Sequence, residues 1–249
     1  MTETLYGRHA VTESLRAGRR RAVRLLLAQG TVQASIVDEM TALAAAHHVP
    51  VETVPRHDLQ QLASTDQHQG VALETTGYPY ASVSEMLDLA QERAEMPLLL
   101  LLDLVQDVHN LGSLIRTAEA VGVHGIVIQE RRAAGITPAT VNTSSGAAEH
   151  MLVAQVTNLA QEIESLKETE IWVAGLEDVY GAQLYTEVNL DVPLALVVGS
   201  ESEGLRRLVR ERCDWVMRMP MHGRINSLNA AVAGSVALYE VLRQRSLVS

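Results

Sequence analysis

Phenylalanine is absent from this 249-residue chain, and with two Trp and six Tyr the aromatic share is only 3%. Cores must therefore be built from Leu, Val, Ile, Met and Ala, and platforms for stacking flat rings are scarce. The single cysteine, Cys213, excludes an internal disulfide and any metal site made of several cysteines. His9, His68, His109, His124, His150 and His222 show no ligand spacing, and His47-His48 falls in an Ala-rich helical stretch, so no metal is expected. The longest aliphatic run, Leu98 to Leu102, is interrupted by Asp103 and is too short to span a bilayer. The start, Met1-Thr2-Glu3-Thr4, lacks the basic and apolar blocks of a signal peptide, which leaves a reducing, cytoplasmic location as the default. There is no GxGxxG, no phosphate loop ending in GKS or GKT, and no Gly-x-Ser-x-Gly elbow.

Lysine is nearly missing too: Lys167 stands alone among 20 basic residues, against 30 acidic ones and a net charge of −10. That total argues weakly against a polyanionic partner, but phosphate attraction is local once salt screens distant charge. Residues 1–24 hold Arg8, Arg16, Arg19, Arg20, Arg21 and Arg24 against only Glu3 and Glu13. A second group, Arg206, Arg207, Arg210 and Arg212, follows an acidic-glycine loop. Arginine offers the planar fork that suits phosphate, while the plain alternative for each group is a solvated helix face.

What is present reads as α/β. Helical patterns at Tyr6–Ala17, Ser35–His47 and Arg56–Ala63 alternate with strands at Ala22–Leu27, Val51–Val54 and Gly70–Thr75. A turn-rich break, Thr76 to Tyr80, opens a charged stretch that ends before Pro97. The boundaries expected are a small domain at 1–75, a linker at 76–96 and a larger domain at 97–249. In the latter, aliphatic strands at Leu98–Leu104, Gly125–Gln129, Ile171–Ala174, Leu194–Val198 and Trp215–Arg218 alternate with helices. That alternation predicts a mostly parallel sheet covered on both faces.

Ligands of such sheets bind beyond the carboxyl ends of the strands, and three polar clusters fall there. The first holds Asn110 at a strand end and Arg116 near a helix start, where a guanidinium opposes the helix dipole unless an anion is bound. The second is Gly199-Ser200-Glu201-Ser202-Glu203-Gly204, whose glycines permit a tight turn; Glu203 there reads either as a site carboxylate or as a plain helix cap. The third runs from Met219 to Asn229, with Ser227 as the expected N-cap, Asn229 in the first helical turn, and Met219 and Leu228 able to border a flat ring. Beyond it, Leu228, Val232, Val236, Tyr239 and Leu242 form an apolar stripe. Ala230, Ala233, Gly234 and Ala237 form a thin face suited to close helix contact, with a second subunit as one candidate.

In order and spacing these clusters resemble the three motifs of the SpoU/TrmH family of RNA ribose 2'-O-methyltransferases, over Leu98 to about Arg245. Tyr6-Gly7-Arg8-His9-Ala10-Val11, His68-Gln69-Gly70 and Ser145-Gly146-Ala147-Ala148-Glu149 resemble the subgroup that methylates a guanosine of 23S ribosomal RNA. The resemblance implies a C-terminal deep trefoil knot, a homodimer, and S-adenosylmethionine as cofactor, held by Gly199, Met219 and Leu228. It implies a catalytic set of Asn110, Arg116, Glu203, Ser227 and Asn229. RNA contacts are expected from Arg8, Arg16, Arg19, Arg20, Arg21 and Arg24. Val108 stands where the family commonly has proline, and Ser202 where it has glycine. Because a guanidinium does not give up its proton near neutral pH, Arg116 is expected to clamp phosphate and steady developing charge. Transfer RNA is the alternative substrate, and a non-catalytic RNA-binding or assembly factor the alternative of another class.

Overall fold

The computed structural model describes residues 2–32, 34–201, 203–224 and 227–246. In chain order it forms β1 (Thr2–Tyr6), α1 (Arg8–Ala17), β2 (Ala22–Ala28), α2 (Ser35–Ala46), β3 (Val51–Val54), α3 (Arg56–Ala63), β4 (Val71–Thr76), α4 (Val83–Glu92), β5 (Leu98–Asp103), α5 (Val108–Ala120) and β6 (Gly125–Gln129). There follow α6 (Pro138–Thr143), a 3-10 turn at Ala147–His150, β7 (Val153–Val156), α7 (Leu159–Glu168), β8 (Trp172–Leu176), β9 (Gln183–Leu184), β10 (Leu194–Gly199), α8 (Arg207–Arg212), β11 (Trp215–Arg218) and α9 (Ala230–Ser246). The strands β1, β7 and β9, of five, four and two residues, are too short to stand out from sequence. The same is not true of α4, inside the expected linker: Ser82 and Glu85 form a capping box and Met86 and Ala90 are buried.

The chain divides into two compact units, Met1–Pro79 with Ile136–His150, and Tyr80–Gly135 with Met151–Ser249. The excursion Ile136–His150, expected with the larger domain, is knit into the first unit by specific bonds. Asn142 Nδ2 donates to the Tyr6 carbonyl at 3.1 Å, and Tyr78 Oη donates to the Ala148 carbonyl at 3.2 Å. Arg20, whose side chain is fully buried, meets Glu149 at 2.8 Å and Glu3 at 2.6 Å. The first unit's sheet runs β1-β4-β2-β3, antiparallel except for the β2/β3 pair, with Leu26, Leu59 and Ala72 in its core.

In the second unit the strands run β7-β6-β5-β10-β8-β11-β9, with parallel pairing throughout among the described residues. All of β5, β6 and β10 is buried, which is why these strands read as unbroken aliphatic runs. Leu99, Leu101, Val127 and Val197 pack in one cluster with Met86 of α4, Ile163 and Leu166 of α7, and Val209 of α8. A Cβ on Gly234 would stand 2.7 Å from Leu114 of α5 and 3.1 Å from Val198 of β10, so glycine there lets α9 lie close on both. β10 enters between β5 and β8, and β11 between β8 and β9, strands that all precede them in the chain.

On α9 the two faces exchange the roles that their composition suggested. Ala230, Ala231, Gly234 and Ala237 are buried, along with Leu238 and Val241 further down the helix, and the large stripe is exposed, Val232 at 50% and Tyr239 at 54%. Small side chains let the first half of the helix lie close on its neighbours, Leu238 and Val241 fill the space beyond, and the stripe is left outward.

Candidate cofactor and catalytic site

Parallel pairing brings the carboxyl ends of β5, β8, β10 and β11 to one edge, with Gly199 opposite Asp103 across the β5/β10 pair. Asp103 is fully buried, yet both carboxylate oxygens are answered by Arg206: its backbone N–H at 2.8 Å and its Nε at 2.7 Å. This pair pins the start of α8 to the end of β5. Between them the motif-two loop folds back through a Ser200–Gly204 bridge, with N–H···O distances of 3.2 and 3.0 Å. Gly199 is required by that turn, since a Cβ there would lie 2.3 Å from the Gly204 carbonyl. Ser202 of the second motif and Asn226 within the third lie outside the described residues.

The first motif begins one turn earlier than its apolar spacing indicates. Asp107 caps α5 by accepting the His109 N–H at 2.7 Å, and Val108 takes the first helical position, where proline also fits. Asn110 is therefore a buried first-turn residue. Arg116 lies mid-helix and exposed, so no dipole penalty applies to it. In the third motif the cap of α9 is Asn229 rather than Ser227: Asn229 Oδ1 accepts from Ala231 and Val232 N–H at 3.0 and 3.2 Å.

Its other end joins the clusters. Asn229 Nδ2 donates to Asn110 Oδ1 at 2.9 Å and to Glu201; Asn110 Nδ2 donates to the same Glu201 oxygen, Oε1, at 2.6 Å. The carboxylate that gathers the asparagines is thus Glu201, which motif spacing alone does not single out. Glu203 sits exposed in the turn, its N–H on Ser200 Oγ at 3.3 Å. Spacing gave no means of choosing between two glutamates; the Ser200–Gly204 bridge, which sets the turn, does.

Two cavities flank this junction and share Ser200, Glu201 and Ala230. One, of about 240 Å³, is lined by Gly199, Met219, Ser227 and Leu228 together with Leu176, Glu177 and Asp178. Arg218 also lines it and Glu177 is paired with Arg210 at 3.2 Å, so the apolar walls of Met219 and Leu228 beside Asp178 and Glu201 are what suit a ligand that joins a flat base and sugar to a cationic centre, as S-adenosylmethionine does. The other, of about 360 Å³, is lined by Gln106, Asp107, Asn110, Arg132, Glu201 and Glu203. Arg132 has φ +60° and brings a guanidinium to an otherwise acidic rim. Arg116 lines neither cavity among the described residues. Among those residues, too, no group of three or more His, Cys, Asp or Glu could hold a metal, and no helix is long and apolar enough to cross a membrane.

The arginines of the first unit divide sharply. Arg16 pairs with Glu13 and Glu39, Arg20 with Glu3 and Glu149, and Arg24 with Glu52 and Glu74. Arg20 is thereby withdrawn from the expected RNA set, because a buried guanidinium held by two carboxylates has no face left for phosphate. Arg19 lies over the Tyr78 ring at 5.3 Å and donates to its hydroxyl at 3.1 Å; burial pushes that phenol up to about 12. Arg8 and Arg21 remain outside ion pairs among the described residues.

Comparison with known proteins agrees with this geometry. The profile of the SpoU rRNA methylase family matches residues 97–239, and that of the RNA 2'-O ribose methyltransferase substrate-binding domain matches residues 4–81. YacO of Bacillus subtilis, placed by name in the TrmH family of tRNA/rRNA methyltransferases, is 43% identical over 97% of this chain and 96% of its own. The SpoU methyltransferase AviRb of Streptomyces viridochromogenes, solved with AdoMet, superposes with TM-score 0.81 at 23% identity, over 99% of this chain and 91% of that one. An AdoMet-bound rRNA methyltransferase of Sinorhizobium meliloti superposes with TM-score 0.79 at 24% identity, over 97% and 87% of the two chains.

Proposed function

Because the chain belongs to the SpoU/TrmH family of S-adenosylmethionine-dependent RNA ribose 2'-O-methyltransferases, we propose that its acceptor is the 2'-hydroxyl of a guanosine in 23S ribosomal RNA. The observation that carries the methyl-transfer part of this reading is the Asn110–Glu201–Asn229 junction between two cavities, one suited to the cofactor and one to a nucleotide; the choice of a 23S guanosine is supported by the resemblance of Tyr6–Val11, His68–Gly70 and Ser145–Glu149. The cofactor supplies a methyl group on a sulfonium centre; the protein has to align it and manage one proton. Gly199, Met219 and Leu228 hold the cofactor, with Ser227 at the rim. Asn110 and Asn229, fixed by Glu201, orient the ribose, and Glu203 faces the incoming nucleotide. Arg132 offsets the acidic rim that would otherwise repel phosphate.

The active form is a homodimer. Its support is the exposed stripe of Val232, Val236, Tyr239 and Leu242, apolar area that a second copy would cover. Arg116 stands on α5, which packs against α9, and acts in the second copy's acceptor cavity as a phosphate clamp. The first unit holds structured RNA by its backbone and shape.

The test is to map 2'-O-methyl groups in ribosomal and transfer RNA from cells with and without the gene. Loss of one 23S guanosine methylation is the expected result. Loss confined to transfer RNA would select the other substrate, and no loss, with no uptake of S-adenosylmethionine by the folded protein, would select a binding factor.

A further inference from the structure

The arginines of the first unit that meet RNA can be chosen by charge balance, an inference that rests on the RNA-methylating reading above. Arg16, Arg20 and Arg24 each stand between two carboxylates. A cation so neutralised holds few counterions and gains little by meeting phosphate.

A cavity of about 420 Å³ in the same unit is lined by Arg8, Thr31, Arg56, Gln69 and Gly70, with no carboxylate among its described lining residues. Arg8 opens α1 and Arg56 opens α3; neither preceding residue, Gly7 or Pro55, supplies a side-chain cap, and at α1 the Arg8 N–H is met instead by Gln69 Oε1 at 2.9 Å. A cation in the first turn opposes the helix dipole, a local cost that a bound anion removes. Arg8 is held by carbonyls only: Nε donates to Gln69 O at 3.3 Å and Nη2 to Val32 O at 3.4 Å. Its side chain is thus fixed while its charge stays available. Neither Arg8 nor Arg56 joins an ion pair among the described residues, and the one acidic residue in the first turn of α3, Asp58, does not line the cavity. The wall is closely packed: Gly70 has φ +82° and a Cβ there would meet Thr31 Oγ1 at 2.5 Å. Buried His68 accepts the Gly70 N–H at 3.0 Å through Nδ1 and is held below its ordinary pKa by burial first and by Arg56 second.

We propose that the cavity between Arg8 and Arg56 binds a backbone phosphodiester of the RNA substrate, and that it carries the main electrostatic contact of the first unit. Arg16, Arg20 and Arg24 then serve mainly to hold the fold.

The test measures Kd across a salt series for deproteinised large-subunit ribosomal RNA and for bulk transfer RNA, with wild type, Arg8→Gln, Arg56→Gln and Arg24→Gln. For whichever RNA binds, the slope of log Kd on log salt is expected to fall by about 1 for each cavity arginine removed. KM for RNA should rise with kcat unchanged, and Arg24→Gln should keep the wild-type slope. Arg56 is exposed, so Arg56→Gln carries the test even where Arg8→Gln disturbs folding. An unchanged slope in Arg56→Gln, or an equal loss in Arg24→Gln, overturns the proposal. So does stoichiometric displacement of RNA by inorganic phosphate at matched ionic strength, which would assign the cavity to a free anion. Binding of transfer RNA alone would defeat the ribosomal reading and leave the slope test of the cavity standing. Binding of neither RNA would overturn both.

Discussion

Asn229 donates its side-chain amide to Asn110 Oδ1 at 2.9 Å across 119 positions of sequence, and the same side chain caps α9 through its oxygen. One residue therefore performs two separable tasks. Asn229→Asp keeps the cap oxygen but sets a carboxylate against Glu201. Unfolding free energy should stay within about 1 kcal/mol of wild type, while turnover falls about 100-fold. Glu201→Gln should match that loss of turnover. Wild-type rates in both variants would remove the junction from the mechanism.

Gly199→Ala places a methyl group 2.3 Å from the Gly204 carbonyl and 2.7 Å from Leu205 N. The loop has to open, and the cofactor cavity with it. Titration calorimetry with S-adenosylmethionine should show binding weakened by about tenfold or more, equivalent to about 1.4 kcal/mol. Unaltered affinity would mean that this turn does not shape the pocket.

Arg206→Ala leaves the Asp103 carboxylate buried with one backbone N–H as its remaining partner from this pair. Breaking such a pair from one side costs about 3 kcal/mol. Adding Asp103→Asn should recover part of the loss, because no charge is then stranded. Urea unfolding of both singles and the double variant measures the coupling; strict additivity would mean that the two side chains do not act together.

His124 gives a pH dependence. Its Nδ1 accepts the Leu98 N–H at 3.0 Å, so Nε2 carries the proton toward Glu95 at 3.0 Å and the ring is satisfied while neutral. Burial lowers its pKa below the ordinary histidine range, and Glu95 opposes that only in part. The folded state therefore takes up a proton less readily than the unfolded chain. The stability contribution is complete above the ordinary histidine pKa of about 6.5 and declines as pH falls below it. His124→Gln should flatten the thermal midpoint between about pH 6.5 and 5 relative to wild type.

Much of the second unit was legible because both faces of its central strands are buried: Leu98–Asp103 and Leu194–Gly199 announce themselves as aliphatic runs. Where burial is partial the signal fades, as in β7, or is too brief, as in the two residues of β9. The helix α4 is marked in the sequence by Ser82 and Glu85, three residues apart, a capping pattern set inside a charged stretch that masks it. Site chemistry was legible as residue types and not as partnerships. Linear counting could not see that Arg20 would be met by Glu149, 129 positions away, or that Glu201 rather than Glu203 would collect the asparagines.

The excursion Ile136–His150 leaves the second unit after β6, supplies Glu149 and Asn142 to the first, and returns before β7. The backbone passes between the units three times, so no single cut releases either one intact. Trimming everything before Pro79 would strand an acidic side chain without its guanidinium and strip the cover from a hydrophobic interior. Recombination that trades substrate preference between relatives must therefore carry two separated stretches of gene together, and the same holds for anyone building a chimaera.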